Sequence, residues 1–374
     1  MPDQKQIIRP LWAEVNLKAL SDNFKAIADY VGQGVKIVAT IKQAAYGHGL
    51  IPVAKELTDA GAAIFGVGSL EEAISLRKAG ISGSIIILSA VLDSFCGLFL
   101  EHNFIPTVVD LNFAKKLNQE AKKRKRRITA HVKIDTGMGR LGFYYQDAHT
   151  FIKELVKLKN INLEGLYTHF PAADTDPGFT QYQIEVFNQF ISRLKAEGLE
   201  FKYKHCANSS GLLNYRDSHF NMVRPGLILY GVKPEAEIDI GIKSVLTLKS
   251  KVIFTKKVKK GMGVSYGRTY IAKNSRYVAT AAVGYADGYP WSLSNRAKVL
   301  VKGEFFNVAG RVCMDHIMVD LKNRGDIKTG EEVILLGESK GKSISCENLA
   351  QWAETIPYEI LTRLSANIPR IYKK

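Results

Sequence analysis

The sequence predicts an α/β fold: a TIM-type (β/α)8 barrel over residues 1–241, followed by a mainly β domain over residues 242–374. Two observations predict it. From residue 35 onward, short β-branched apolar runs alternate with amphipathic stretches, and eight such runs can be counted. After about residue 242 the texture changes to long alternating runs with glycine-containing turns and few helices, the pattern of a separate β unit.

The eight candidate barrel strands are "VKIVATI" (35–41), "AAIFGVG" (62–68), "SIIILSA" (84–90), "IPTVVD" (105–110), "ITAHVKID" (128–135), "LEGLYTH" (163–169), "KYKHCAN" (202–208) and "MVRPGLI" (222–228). Helix-like segments such as "LEEAISLRKAG" and "YQIEVFNQFISRLKAEG" separate most of them, several closed by a helix-terminating glycine. Strands that alternate with helices pair in parallel through right-handed crossovers, and eight units are what a closed barrel requires. A doubly wound open sheet is the competing arrangement. In the second unit the strand-like runs are "SVLTLKSKVIFTKKV", "YVATAAVGY", "KVLVKGEFFNVAGRVCMDHIMVDL" and "EEVILLGE".

Composition narrows the function classes. A chain with 46% hydrophobic and 24% charged residues is neither disordered nor a membrane protein. Its longest apolar run, "GSIIILSAVL", falls far short of the ~20 residues of a span. Residues 1–20 lack an apolar stretch behind a basic start, so no secretory signal is read and a cytoplasmic location is expected. Cys96, Cys206, Cys313 and Cys346 are widely spaced, which argues for reduced thiols and against a zinc or other metal site. The net charge of +16 raises nucleic-acid binding. However, the densest run, "KKRKRR" (122–127), continues a one-sided helical pattern and reads as a solvated helix end, and "KKVKK" (256–260) lies among strands. Neither run carries interleaved aromatics, so no nucleic-acid or membrane partner is expected.

Chemistry in a parallel barrel gathers at the carboxyl ends of the strands. These ends carry Lys42 and Tyr46 after the first strand, Arg140 after the fifth, His169 ending the sixth, Asn208 and Ser209 after the seventh, and Arg224 with Gly226 within the eighth. A lysine at a barrel mouth is either a surface amine or a carbonyl-seeking nucleophile. The second reading gains from "YGHG" and the Gly226 region, whose N–H groups and hydroxyl suit a phosphate. Two nucleotide-like motifs fail on context. "GMGRLG" (137–142) follows the fifth strand instead of opening a βαβ unit, and "GESKGKS" (337–343) is one residue short of a P-loop.

Eight segments in order, "IKQAAYGHG", "HVKIDTGMGRLGF", "YTHFPAAD", "HCANSSG", "NMVRPGLILYG", "GVSYGRTY", "VGYADGYP" and "GRVCMDHIMVD", closely resemble the alanine racemase family over nearly the whole chain. The resemblance implies pyridoxal 5′-phosphate (PLP) as cofactor and racemisation of L- and D-alanine by two bases. It also implies a homodimer with shared active sites, and D-alanine destined for peptidoglycan. Lys42 matches the lysine that bonds to PLP and serves as one base. Tyr46, Ser209, Gly226 and Leu227 match phosphate ligands, and Asn208 belongs to the same cofactor-side motif. His169 matches the imidazole lying against the cofactor ring, and Arg224 the arginine on its pyridine nitrogen, supported by His205. Arg140 matches a residue contacting the cofactor's phenolic oxygen and the substrate carboxylate, and Lys133 a lysine carbamylated in many members. Tyr266 matches the opposing base, while Tyr285, Met314 and Asp315 match the substrate entrance and carboxylate site supplied by the partner subunit.

These residue types suit the reaction, because two bases must flank the plane from which the α-proton leaves and to which it returns. A tyrosine serves as base near neutrality only with positive charge nearby, and Arg140 or a protonated His169 are the expected sources. The sequence departs from the family at Gln43 and Ala44, where A-N is common. It departs again at Ala366 and Asn367, where some members place a phosphate-binding tyrosine. A racemase preferring serine, one of broad specificity, a related barrel decarboxylase and a non-catalytic PLP-binding protein are the alternatives. Tyr266 speaks against the last of these.

Overall fold

The computed structural model describes residues 8–234 and 238–374; the reading of residues 1–20 as free of a signal falls partly on residues 1–7, outside those described. The chain opens with β1 (Leu11–Asn16), whose last residue caps the helix Leu17–Val31 by accepting from the Ala19 N–H at 2.8 Å.

Eight parallel strands then follow. They are β2 (Lys36–Thr40), β3 (Ile64–Val67), β4 (Ser84–Ile87), β5 (Ile105–Val108) and β6 (Ile128–Asp135), with the two-residue β7 (Phe143–Tyr144) beside it, then β8 (Ile161–Tyr167), β9 (Tyr203–His205) and β10 (Met222–Val223). Their hydrogen-bonded order is β10-β2-β3-β4-β5-β6-β8-β9. Just past β9 and β10 the Arg224 N–H donates to the Ala207 carbonyl at 2.9 Å, so the barrel nearly closes. Each of the eight expected runs therefore supplies one strand, and the open doubly wound sheet is not formed. Val38, Ile86 and Met222 pack together apart from the main core, an apolar layer filling the barrel interior as this architecture requires. The surrounding helices start where short polar side chains satisfy free N–H groups: Ser69 accepts from Glu72, Asp110 from Phe113 and Asp176 from Phe179.

The second unit contains β11 (Leu246–Val258), the short hairpin β12 (Gly263–Val264) and β13 (Tyr270–Ile271), then β14 (Arg276–Ala281), β15 (Lys298–Val301), β16 (Glu304–Val308), β17 (Ile317–Lys322), β18 (Glu332–Ser339), β19 (Lys342–Ile344) and β20 (Arg370–Lys373). Strands β11, β14, β17, β16, β15 and β18 pair antiparallel in that order, and β18 pairs back onto β11, closing a six-stranded barrel. Both chain ends join this sheet: β1 lies antiparallel to β11, and β20 lies parallel to β1. The "KKRKRR" run ends the helix Leu111–Lys123 and stays exposed through Arg127, as expected of a solvated helix end. Among the described residues no helix is long and apolar enough to cross a membrane.

Candidate active site

Lys42 leaves β2 at the carboxyl end of the barrel and opens an unusual turn. Gln43, Ala44, Ala45 and Tyr46 have φ values of 53°, 52°, 56° and 52°, a full left-handed turn without glycine. Such a conformation costs ~1–2 kcal/mol per residue, so on the order of 4–8 kcal/mol is stored beside the lysine. The surroundings hold it. Gly47 N–H donates to the Gln43 carbonyl at 3.0 Å and Gly49 N–H to that of Ala44 at 2.8 Å. The Ala44 N–H donates to Glu72 Oε1 at 3.0 Å. From the chain's far end, Arg370 donates to the Gly47 carbonyl and the Tyr372 hydroxyl to that of His48, each at 3.1 Å. Gly47 has no room for a side chain, since a Cβ there would meet the Leu361 carbonyl oxygen at 2.3 Å. Gln43 and Ala44, where the sequence departs from the family, are exposed.

Tyr46 points from this turn toward Gly226. Its buried ring lies 4.9 Å from Tyr230 and 6.0 Å from Tyr358, centroid to centroid, and burial raises its pKa, keeping the phenol protonated as a donor. Ser209 Oγ accepts from the Gly226 N–H at 3.0 Å and from the Ile228 N–H at 3.5 Å. Leu227 opens the tight turn Leu227–Tyr230, and Asn208 caps the helix Ser209–Asn214 by accepting from Gly211 N–H at 2.9 Å. Two hydroxyls and a glycine-led backbone thus share one wall. Tyr358, on the helix Pro357–Thr362, is a phenol that sequence reasoning missed. It stands beside Tyr46, whereas the family's phosphate-binding tyrosine would be expected near Ala366 and Asn367.

Arg224 is buried, with four acceptors around its two Nη groups. One Nη donates to His205 Nδ1 at 2.7 Å; the other donates to the carbonyls of Thr168 (2.8 Å) and Cys206 (3.0 Å) and to His169 Nδ1 at 3.3 Å. A guanidinium has only donors, so both imidazoles accept at Nδ1. His205 must then carry its proton on Nε2, which donates to His131 Nδ1 at 3.0 Å. Burial, reinforced by Arg224, holds His131 down to about 3 and His169 and His205 well below the usual histidine range. All three are neutral. Burial and Arg224 thus work against the protonated His169 expected from the sequence. Tyr167 stacks on His205 at 4.6 Å and lies 5.1 Å under the Arg224 guanidinium. His131 and Tyr167 also escaped the sequence reading, although both stand on barrel strands amid apolar neighbours.

The mouth is rich in cations. Lys133 on β6 is buried, and burial, then Arg140 and Arg224, bring its pKa down to about 8, with Asp135 opposing. Lys42 is also lowered, first by burial and then by Arg140, with Glu72 opposing and Arg224 adding repulsion. Asp135 is otherwise occupied. Its carboxylate accepts from the N–H groups of Gly137 (2.9 Å), Met138 (2.8 Å), Gly139 (3.2 Å) and Arg140 (3.2 Å). This is what the "GMGRLG" glycines serve here, a backbone nest around a carboxylate that presents Arg140.

A second group stands on the β domain. Tyr266 is 70% exposed, Met314 54% and Tyr285 46%. The Tyr285 and Met314 segments are zipped together, with Tyr285 N–H donating to the Cys313 carbonyl at 3.0 Å and Ala286 N–H to that of Met314 at 3.1 Å. Arg9 holds the same turn through its pair with Asp287, lying 3.8 Å from the Asp315 carboxylate. Ser265, at φ 65°, donates to the Arg311 carbonyl at 2.7 Å and sets the start of the Tyr266 turn.

Fold and site together define a barrel enzyme centred on a cation-flanked lysine that opens a left-handed turn. Residues 15–234 match the family model described as alanine racemase, N-terminal domain, and residues 245–372 the one described as alanine racemase, C-terminal domain. The chain belongs to the alanine racemase family, and its activity is an isomerase's, the racemisation of alanine. Among curated relatives, an alanine racemase of Halothermothrix orenii is 42% identical over 372 residues, covering 99% of this chain and 98% of that protein. One from Carboxydothermus hydrogenoformans is 41% identical over 369 residues, covering 98% of this chain and 100% of that protein. Among solved structures, the alanine racemase of Streptomyces lavendulae superposes with a TM-score of 0.94 at 32% identity, covering 99% of this chain and 98% of that one. That of Bacillus anthracis with bound L-Ala-P reaches 0.91 at 34% identity, covering 98% and 96%.

Proposed function

We propose that the chain interconverts L- and D-alanine with PLP bound at the barrel mouth, using Lys42 and the Tyr266 of a second copy of the chain as bases on opposite faces of the α-carbon. The observation that carries this is the convergence of the Lys42 turn, the Tyr46–Ser209–Gly226 wall and the buried Arg224. The wall fits a phosphate. Gly226 is where a side chain would fill the space before the Tyr46 hydroxyl, its Cβ lying 2.5 Å from that oxygen. Tyr46, Ser209, Gly226 and Leu227 would hold the phosphate with Asn208 supporting the loop, and Tyr358 adds a phenol beside them. Bound PLP supplies an electron sink for the pair left when the α-proton departs.

The chain's own groups do the rest. Lys42, its acidity raised by burial and by Arg140, would take the proton on one face as a neutral amine and return it there as the ammonium. Arg224, fixed by four acceptors, would meet the ring nitrogen without surrendering a proton, and neutral His169 would lie against the ring. Arg140 would orient the substrate carboxylate. Lys133, with a pKa near 8, has the accessible neutral amine that carbamylation needs, and a carbamate there would turn repulsion of Arg140 into attraction. Tyr266, Tyr285, Met314 and Asp315 are exposed or partly exposed on this chain, as residues completing a partner's site would be. A two-fold dimer accounts for that. Preference for alanine is supported by the named relatives, one of which binds L-Ala-P. A cytoplasmic enzyme supplying D-alanine for peptidoglycan is the cellular role we infer.

Borohydride reduction of PLP-loaded protein followed by peptide mapping should place the cofactor on Lys42, and label on another lysine would refute the assignment. Mixing Lys42→Ala with Tyr266→Phe chains should restore part of the lost activity. No recovery in proven heterodimers would sink the shared site.

A further inference from the structure

Glu72 has no assigned role, yet it touches the Lys42 turn directly. It sits in the first turn of the helix Leu70–Lys78, three residues after the capping Ser69. A glutamate at that position commonly returns to the N–H of the capping residue. Here its carboxylate goes elsewhere: Oε1 accepts from the Ala44 N–H and Oε2 from the Gly68 N–H, each at 3.0 Å. Ala44 is the second residue of the left-handed turn, and Gly68 follows β3. A Cβ at Gly68 would lie 3.5 Å from Lys42 Cβ, 3.6 Å from Glu72 Oε2 and 3.9 Å from Lys42 Cδ. Carboxylate and lysine stem therefore border the same glycine.

We propose that Glu72 is a positioning residue for the cofactor lysine, bridging Ala44 and Gly68 to lock the Lys42 turn onto β3 and placing a negative charge beside the Lys42 side chain. The proposal rests on the reading of Lys42 as the lysine that bonds to PLP. A turn of four left-handed residues relaxes unless its amides are held, and Glu72 holds one of them from a rigid helix start. The charged groups acting on Lys42 are Arg140, Arg224, Lys133 and Glu72. Glu72 is the only acid of these four and the one that opposes burial and the three cations, keeping the amine from becoming still weaker as a base.

The test uses the full chain without cofactor, trace-labelled with acetic anhydride across a pH series, with Lys42 and Lys133 resolved by mass spectrometry. In Glu72→Gln the midpoint of Lys42 labelling should fall, so that labelling below that midpoint is several-fold faster, while that of Lys133 does not fall, since a Lys42 that sheds its charge more readily repels it less. A merely structural loosening would expose Lys42 and move its midpoint upward, because burial is the main cause of its present lowering. An unchanged or raised midpoint overturns the proposal. Should Glu72→Gln not accumulate folded, Glu72→Asp carries the test by hydrogen exchange. The Ala44 and Gly68 amides should lose protection while that of Phe113, held by Asp110 at another helix start, does not; undiminished protection overturns the bridge. Borohydride mapping of the wild type reports separately on whether Lys42 is the cofactor lysine, so either reading can fail alone.

Discussion

Replacing Gly226 with alanine probes whether the Tyr46 hydroxyl and the Gly226 backbone form one fitted surface. The new Cβ would stand 2.5 Å from Tyr46 Oη and 3.2 Å from Cζ. Ordinary contact begins at 3.4 Å, so the phenol must withdraw by about 0.9 Å (3.4 minus 2.5). It has little room, being 4% exposed with Tyr230 and Tyr358 against its ring. Overpacking of this kind costs about 1–3 kcal/mol. In a Tyr46→Phe background the nearest carbon leaves a deficit of only about 0.2 Å (3.4 minus 3.2), so the same alanine should cost well under ~1 kcal/mol. A double-mutant cycle on cofactor-free protein, read by urea unfolding, should therefore show a coupling of about 1–2 kcal/mol. In the Gly226→Ala single variant, PLP affinity measured by absorbance titration should fall about tenfold or more, the equivalent of ~1.4 kcal/mol. Equal costs of alanine in both backgrounds, within about 0.5 kcal/mol, would refute the idea of a fitted surface.

Three further outcomes follow from the geometry. Lys133→Met should stabilise the cofactor-free, carbon-dioxide-free protein below pH 8, by on the order of 3 kcal/mol from the drop between 10.5 and about 8. The sign is that of a lysine whose folded pKa is depressed: its cost is full below pH 8 and fades between about 8 and 10.5, so urea midpoints should converge above that range. Arg9→Met should destabilise the chain by roughly 1–2 kcal/mol, because it strips the buried Asp287 of its charged partner and leaves the Gly284 N–H at 2.9 Å. A loss below ~0.5 kcal/mol would mark the pair as an ordinary surface one. Gln43→Gly should leave stability unchanged or raise it by up to ~1 kcal/mol, the relief of one left-handed residue less the entropy glycine loses on folding. A clear destabilisation, seen as a lower urea midpoint, would show that the Gln43 side chain matters.

Both architectures were legible because their periods differ. Buried parallel strands such as "SIIILSA" announce themselves as continuous apolar runs, and the alternation in β11 reflects one buried face. What the sequence hid is long-range pairing. "LWAEVN" reads as an ordinary apolar start, and only its partners Ser250–Leu246 and Arg370–Lys373 reveal it as a strand of the second sheet. The candidate site divides in the same way. Lys42, Tyr46, Ser209 and Arg224 carry visible chemistry at strand ends, whereas Glu72 looks like half of a capping box and His131 like a core histidine. Their roles exist only through residues 28 and 74 positions away. Tyr358 was overlooked because the helix that brings it to Tyr46 lies more than three hundred residues along the chain.

The electrostatics of the mouth assign the activating charge to one residue. On the proposed two-base reading Lys42 must act as a neutral amine on one face of the α-carbon, and a positive charge close by favours that form. His169 cannot supply it: protonating this ring requires a proton on Nδ1, where Arg224 already donates, and burial and three further cations oppose it. Arg224 is walled in by His205, Thr168 and Cys206, and Lys133 is itself close to losing its charge near pH 8. Arg140 is the remaining group, permanently charged, exposed, and presented by the Asp135 nest. After burial it is the strongest influence lowering Lys42. The four backbone N–H groups gathered by Asp135 therefore hold in place the guanidinium that acts most strongly on the proposed base Lys42.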